Sequence, residues 1–259
     1  PPVAILAQEF SRCSAPIAPA QFSTSCNMAF SRLAMAVLCT LVATSRADCS
    51  NARWTQAYSP EVCHPEGPTA IVKCLGRSGE QCGTRMESNS RVGPGLHSVS
   101  IKGAPGPGVV STFYMSTNRG LYDKSCTHPW VELDFEIMGN QAGTTSKIWT
   151  NMLRGTCQEN WKWITVPFDV SKDYHTYAFE ITADSISWLV DGVVYRTVST
   201  KDFPDVHAAA KQSDSFRKYA SVWGKSSGDA GEGIPAFRNA LGALDSNTNA
   251  FPLSAGFRM

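Results

Sequence analysis

Charge is scarce in this sequence, and what there is cancels: 17% of the 259 residues are charged, 23 basic against 22 acidic, for a net +1 with histidine neutral. Without a basic excess there is no electrostatic footprint for nucleic acid or an anionic membrane. Long apolar runs are missing too. The stretch from Leu33 to Ala43 is too short to span a bilayer, and no second stretch of membrane length follows. No C-x-x-C pair occurs and the five histidines are scattered, so neither a metal nor a cofactor is expected. Internal repeats and an interdomain linker are absent as well. What remains, with 42% hydrophobic residues, is enough for one sizeable core.

Met28 to Ala47 has the organisation of a secretory signal: Arg32 near its start, the apolar run, then Ser45-Arg46-Ala47 as a small-x-small cleavage site. Residues 1–27 precede it as an upstream leader or extension, and residues 48–259 are expected to form a single domain. The mature chain would keep Cys49, Cys63, Cys74, Cys82, Cys126 and Cys157. An even number in an oxidising compartment predicts three disulfides, with fifteen connectivities open. The product is expected to be extracellular and monomeric. Near-neutral charge suits an uncharged polysaccharide partner, and seven tryptophans supply flat faces for sugar rings. Trp54 and Trp188 are expected in the core.

Short β-rich runs alternate with turn signals. They are His97–Ile101, Val109–Met115, Val131–Met138, Lys147–Leu153, Trp161–Val166, His175–Ile181, Ile186–Val190 and Val193–Val198. Asp191-Gly192 between the last two supplies the left-handed positions of a tight hairpin turn. Val206 to Ala220 reads as a short helix or a loop crossing a cleft edge. Many antiparallel strands and few helices predict an all-β sandwich or jelly roll.

One strand carries an unusual face. Glu132, Asp134 and Glu136 recur at period two, so all three carboxylates stand on the same side of a strand whose other side is Val131, Leu133, Phe135 and Ile137. Like charges so placed repel, and a strand gains nothing structural from them. The Cα atoms of Glu132 and Glu136 would be roughly 13 Å apart. Their side chains can lean together to about 5 Å, the spacing of a retaining glycosidase. Asp134 between them would hold one glutamate ionised and the other protonated.

Trp130 to Gly139 resembles the catalytic strand of glycoside hydrolase family 16, which includes the licheninases and the xyloglucan endotransglycosylase/hydrolases. Gly108–Ser116, Trp149–Asn151, His175–Glu180, Ser185–Gly192 and Tyr219–Trp223 follow the same family in order, so the resemblance covers roughly residues 82–259. It implies a concanavalin A-like jelly roll of two antiparallel sheets with a concave cleft, and a retaining endo-β-glucanase acting on β-1,3-1,4 or β-1,4 linked glucan. Glu132 would be the nucleophile, Glu136 the acid and then the base, and Asp134 the partner of the nucleophile. Trp130 would pack against the sugar at the cleaved bond, Asn151 would bond a sugar hydroxyl, Trp223 would stack an acceptor ring, and Tyr114 would line the cleft or join the core. The chain departs from licheninases at Arg85-Met86-Glu87-Ser88, where acid and base are exchanged relative to Glu-Tyr-Arg-Ser. Ser254-Ala255-Gly256 lacks the Asp that helps relatives hold calcium, so none is expected. Two other readings stand beside hydrolysis: a xyloglucan endotransglycosylase, and a lectin that kept the sandwich and lost activity.

Overall fold

The computed structural model describes residues 49–59, 62–74, 83–117, 130–155, 158–224, 235–244 and 253–259. The leader, the signal segment, Cys82, Cys126, Cys157 and the glycine-rich run after Gly224 lie outside them. Fifteen strands are present among the described residues: β1 Trp54–Gln56, β2 Cys63–Glu66, β3 Thr69–Cys74, β4 Arg85–Val92, β5 Gly95–Lys102, β6 Val109–Ser116, β7 Val131–Met138, β8 Ser146–Arg154, β9 Gln158–Glu159, β10 Lys162–Val166, β11 His175–Ile181, β12 Ser185–Val190, β13 Val193–Ser199, β14 Phe216–Gly224 and β15 Leu253–Arg258. Two short helices, α1 Pro204–Lys211 and α2 Pro235–Leu241, accompany them. None is long and apolar enough to cross a membrane.

The strands form two antiparallel sheets, one of eight strands in the order β1-β4-β14-β6-β7-β8-β10 with β9 beside β8, the other of seven in the order β13-β12-β11-β5-β15-β3-β2. Period-two patterning explains why they stack. In β7 the side chains of Val131, Leu133, Phe135 and Ile137 are buried, and Phe113 and Met115 of β6 and Ile148 and Met152 of β8 join them in one apolar cluster. The opposite sheet supplies Tyr177, Phe179, Ile186, Trp188 and Phe257. Phe135 meets Phe179 at 5.0 Å between ring centroids and Tyr177 edge-on at 5.5 Å, in the tilted geometries aromatic pairs prefer. Trp54 and Trp188 are both buried, as expected.

The β12–β13 hairpin turns at Asp191 (φ 49°) and Gly192 (φ 79°), both left-handed, as its Asp-Gly signal requires. Gly256 in β15 is needed for space, since a Cβ there would lie 2.1 Å from the Tyr174 hydroxyl oxygen. The ambiguous stretch resolves into both a helix and a strand: α1 begins at Pro204, a residue suited to a helix start, and β14 begins at Phe216. Cys49 is bonded to Cys63, and Cys74 is also in a disulfide.

Because Phe135 is fully buried against two rings of the opposite sheet, Phe135→Ala is expected to lower unfolding stability by about 3–5 kcal/mol. Urea denaturation of the purified protein measures this.

Candidate active site

The face of the eight-stranded sheet that looks away from the core is built by the alternate residues of each strand. On β7 these are Glu132, Asp134, Glu136 and Met138. Their cross-strand partners on β6 are Ser116, Tyr114, Thr112 and Val110, and on β8 Leu153, Asn151 and Trp149 face Glu132, Asp134 and Glu136. Beyond β6, Tyr219, Ser221 and Trp223 of β14 continue the rows, and Glu87 and Arg85 of β4 follow. Although this face points away from the sandwich core, Asp134 and Glu136 are each only 7% exposed. The face is therefore recessed.

Burial sets the electrostatics. Removing a carboxylate from water disfavours its charged form, and this pushes Glu132 up to about 7, against the lowering effects of a Ser116 hydrogen bond and the Arg85 cation. Asp134 is raised well above the ordinary range by burial first, then by Glu132 and Glu136 on either side, with Arg196 opposing. Tyr114, raised by burial, stacks on Tyr219 at 4.6 Å. On the neighbouring row the hydroxyls of Thr112 and Ser221 are 2.5 Å apart.

Arg85 and Glu87 form an ion pair, and the guanidinium lies over the Tyr219 ring at 5.5 Å. The exchanged acid and base thus occupy the carboxylate face, three strands from β7. A second cation supports the strand from behind. Arg196 of β13 is buried between the sheets, donating to Thr150 Oγ1 at 2.8 Å and Asn160 Oδ1 at 2.9 Å, with its plane over the Trp188 ring at 4.3 Å. Burial lowers its affinity for a proton, to about 10, and Asp134 counters that. Trp188 Nε1–H in turn donates to the backbone carbonyl of Asp134 at 3.0 Å.

The residues that the resemblance assigns to the site lie on β7 and its neighbouring strands. Trp130 is half-buried immediately before β7, its carbonyl accepting from the Gly155 N–H at 2.7 Å. Asn151 is buried opposite Asp134, and its side-chain carbonyl accepts from the Met152 N–H at 2.9 Å. Tyr114 is buried on the carboxylate face opposite Asp134. Trp223 is half-buried and stacked on Phe237 of α2 at 6.0 Å, part of a second apolar cluster with Val110, Met138, Trp149 and Leu241. Sequence reasoning missed Tyr219, Arg85 as a neighbour of Glu132, Arg196, and the pair Trp161 and Trp163 at the start of β10. For the last a signal existed: Trp161-x-Trp163 repeats at period two.

Carboxylates grouped on one recessed strand face of a β-sandwich are an arrangement of the kind two-carboxylate glycosidases use. Residues 45–234 match the family Glycosyl hydrolases family 16, and the chain belongs to that family. Among curated relatives, a beta-glucanase of Bacillus licheniformis is 36% identical over 109 residues, 42% of this chain and 42% of that protein. The chain thus aligns with less than half the length of such relatives. Among solved structures, a Bacillus licheniformis beta-glucanase superposes with TM-score 0.59 at 22% identity, covering 81% of this chain and 91% of that one. An apo Crh5 transglycosylase gives 0.60 at 21%, covering 82% and 79%. These two likenesses establish the jelly-roll fold.

The raised Glu132 carboxyl has a consequence for stability. A group that binds its proton more tightly when folded contributes most below its unfolded value near 4.5, and that contribution is lost as pH rises through about 7. Asp134 acts in the same direction. Glu132→Gln removes the Glu132 share, so the variant should gain on the wild type by up to about 3 kcal/mol between pH 4 and pH 8. Urea melts at the two pH values test this; a stability difference independent of pH would contradict it.

Proposed function

We propose that this chain is a secreted, retaining endo-β-glucanase that hydrolyses β-1,3-1,4 or β-1,4 linked glucan through a covalent glycosyl-enzyme intermediate. The observation that carries the reading is the placement of Glu132, Asp134 and Glu136 together on one recessed strand face. Family membership and the named beta-glucanases among the relatives support the substrate class.

In the first step a Glu132 carboxylate oxygen attacks the anomeric carbon while Glu136 gives its proton to the departing glycosidic oxygen. In the second, Glu136 takes a proton from water as that water displaces Glu132, returning the enzyme and a sugar of retained configuration. Asp134 discourages simultaneous ionisation of its neighbours, because three adjacent carboxylates out of water cannot all carry charge. Arg85 favours the ionised form of Glu132. Trp130 packs on the ring at the cleaved bond, Asn151 binds a sugar hydroxyl, and Trp223 faces an acceptor sugar. A lectin would have no need of all three acids.

Lichenan, laminarin and xyloglucan, digested separately with product identification, test the substrate; new reducing ends mark hydrolysis, and lengthened oligosaccharides mark transfer. Glu132→Gln should abolish turnover while glucan binding persists, because the amide cannot attack the sugar carbon. Glu136→Ala should cripple polysaccharide hydrolysis yet spare the first step on aryl glycosides with acidic leaving groups, which need no proton. Equal losses on both substrates would remove Glu136 from the acid role.

A further inference from the structure

Trp161 lies just before β10, and the pairing of Lys162 with Thr150 on one side and Asn160 with Met152 on the other places it opposite Asn151. It therefore stands on the row Trp161–Asn151–Asp134–Tyr114–Tyr219, on the carboxylate face, two strand spacings or about 10 Å from Asp134. A single exposed aromatic side chain is ordinary on a protein surface. The setting of this one is not. The residue is 40% exposed, yet its ring is stacked at 4.4 Å and 15° on Trp149, which is fully buried and sits opposite Glu136. Trp149 is itself held edge-on by Trp163 at 5.1 Å and by Phe237 at 5.3 Å. The ring is thus held by a rigid aromatic stack while much of the residue stays exposed.

From this arrangement we infer that Trp161 is a glucan-binding platform, a subsite on the β8–β10 flank that stacks a glucosyl ring removed from the cleaved bond. The apolar C–H face of a β-linked glucose is flat and uncharged, as the exposed indole is, and the row leads directly to the carboxylates. A chain seated on Asp134 and extending across β8 would pass over Trp161, whereas a substrate of one or two sugars would not span that distance. A preformed platform also loses little side-chain freedom on binding. The inference rests on the proposed glucanase reading and adds to it a requirement for chain length.

The test compares barley mixed-linkage glucan with an aryl β-cellobioside, using wild type, Trp161→Ala and Trp161→Phe. The ratio of kcat/KM on polymer to kcat/KM on the short substrate should fall roughly fivefold to tenfold in Trp161→Ala, through KM, and recover in large part in Trp161→Phe, which keeps a ring. In a Glu132→Gln background, native electrophoresis through gels containing the same glucan should show Trp161→Ala retarded less than its parent. Losses equal on both substrates, or unaltered retardation, would overturn the platform and leave Trp161 as a structural neighbour of Trp149. A wild type that neither binds nor cleaves any β-glucan would instead overturn the glucanase reading itself.

Discussion

One strand is asked to satisfy two opposed demands. The period-two geometry of β7 sends Phe135 and its apolar neighbours into the centre of the sandwich and, by the same alternation, forces Glu132, Asp134 and Glu136 onto a single face. A one-residue slip would put three carboxylates into the core and four apolar side chains into the recess. The buried rings on Phe135 therefore do more than stabilise the fold: they fix the register that brings the acids together. Like charges held this close out of water are unfavourable, and the rest of the sheet has to absorb that cost.

Two cations do so from opposite sides. Arg85, on the carboxylate face, opposes the upward drift of Glu132. Arg196 enters from the other sheet and opposes that of Asp134. A buried guanidinium is costly unless its donors are met, and here Thr150, the Asn160 carbonyl and side chain, and the face of Trp188 meet them. Since Trp188 also donates to the Asp134 carbonyl, the charge and position of the middle acid are anchored through one contact chain between the sheets. The same economy of parts extends laterally, where buried Trp149 faces Glu136 and at the same time supports the exposed ring of Trp161.

The central strands were legible because their patterning is undiluted. Val131–Met138 and His175–Ile181 were read to the residue, and the Asp191-Gly192 turn specified its own hairpin. The N-terminal strands escaped because they break the rules that reveal strands: β2 contains a proline and is largely exposed, and β4 reads as Arg-Met-Glu-Ser-Asn-Ser-Arg-Val, with Arg85 and Glu87 on the carboxylate face and serines interrupting Met86 and Val92 on the other. Helix α2 is short and lies beyond a glycine-rich run. Of the site, the three acids were visible since their spacing lies within one strand. Arg196 and Tyr219 were not, because their roles depend on cross-strand register, which links residues far apart in sequence; Trp161 showed its face by period two with Trp163 but not its partner.

The most direct test of the account is to trap the sugar on its nucleophile. In a 2-deoxy-2-fluoro β-glucosyl or β-cellobiosyl donor the fluorine slows both steps while an activated leaving group keeps the first fast, so the glycosyl-enzyme accumulates. Intact mass should rise by one glycosyl group per chain, and peptide mapping should place that group on Glu132. Labelling of Asp134 or Glu136 instead, or turnover with inversion and no label, would contradict the assignment of the three carboxylates.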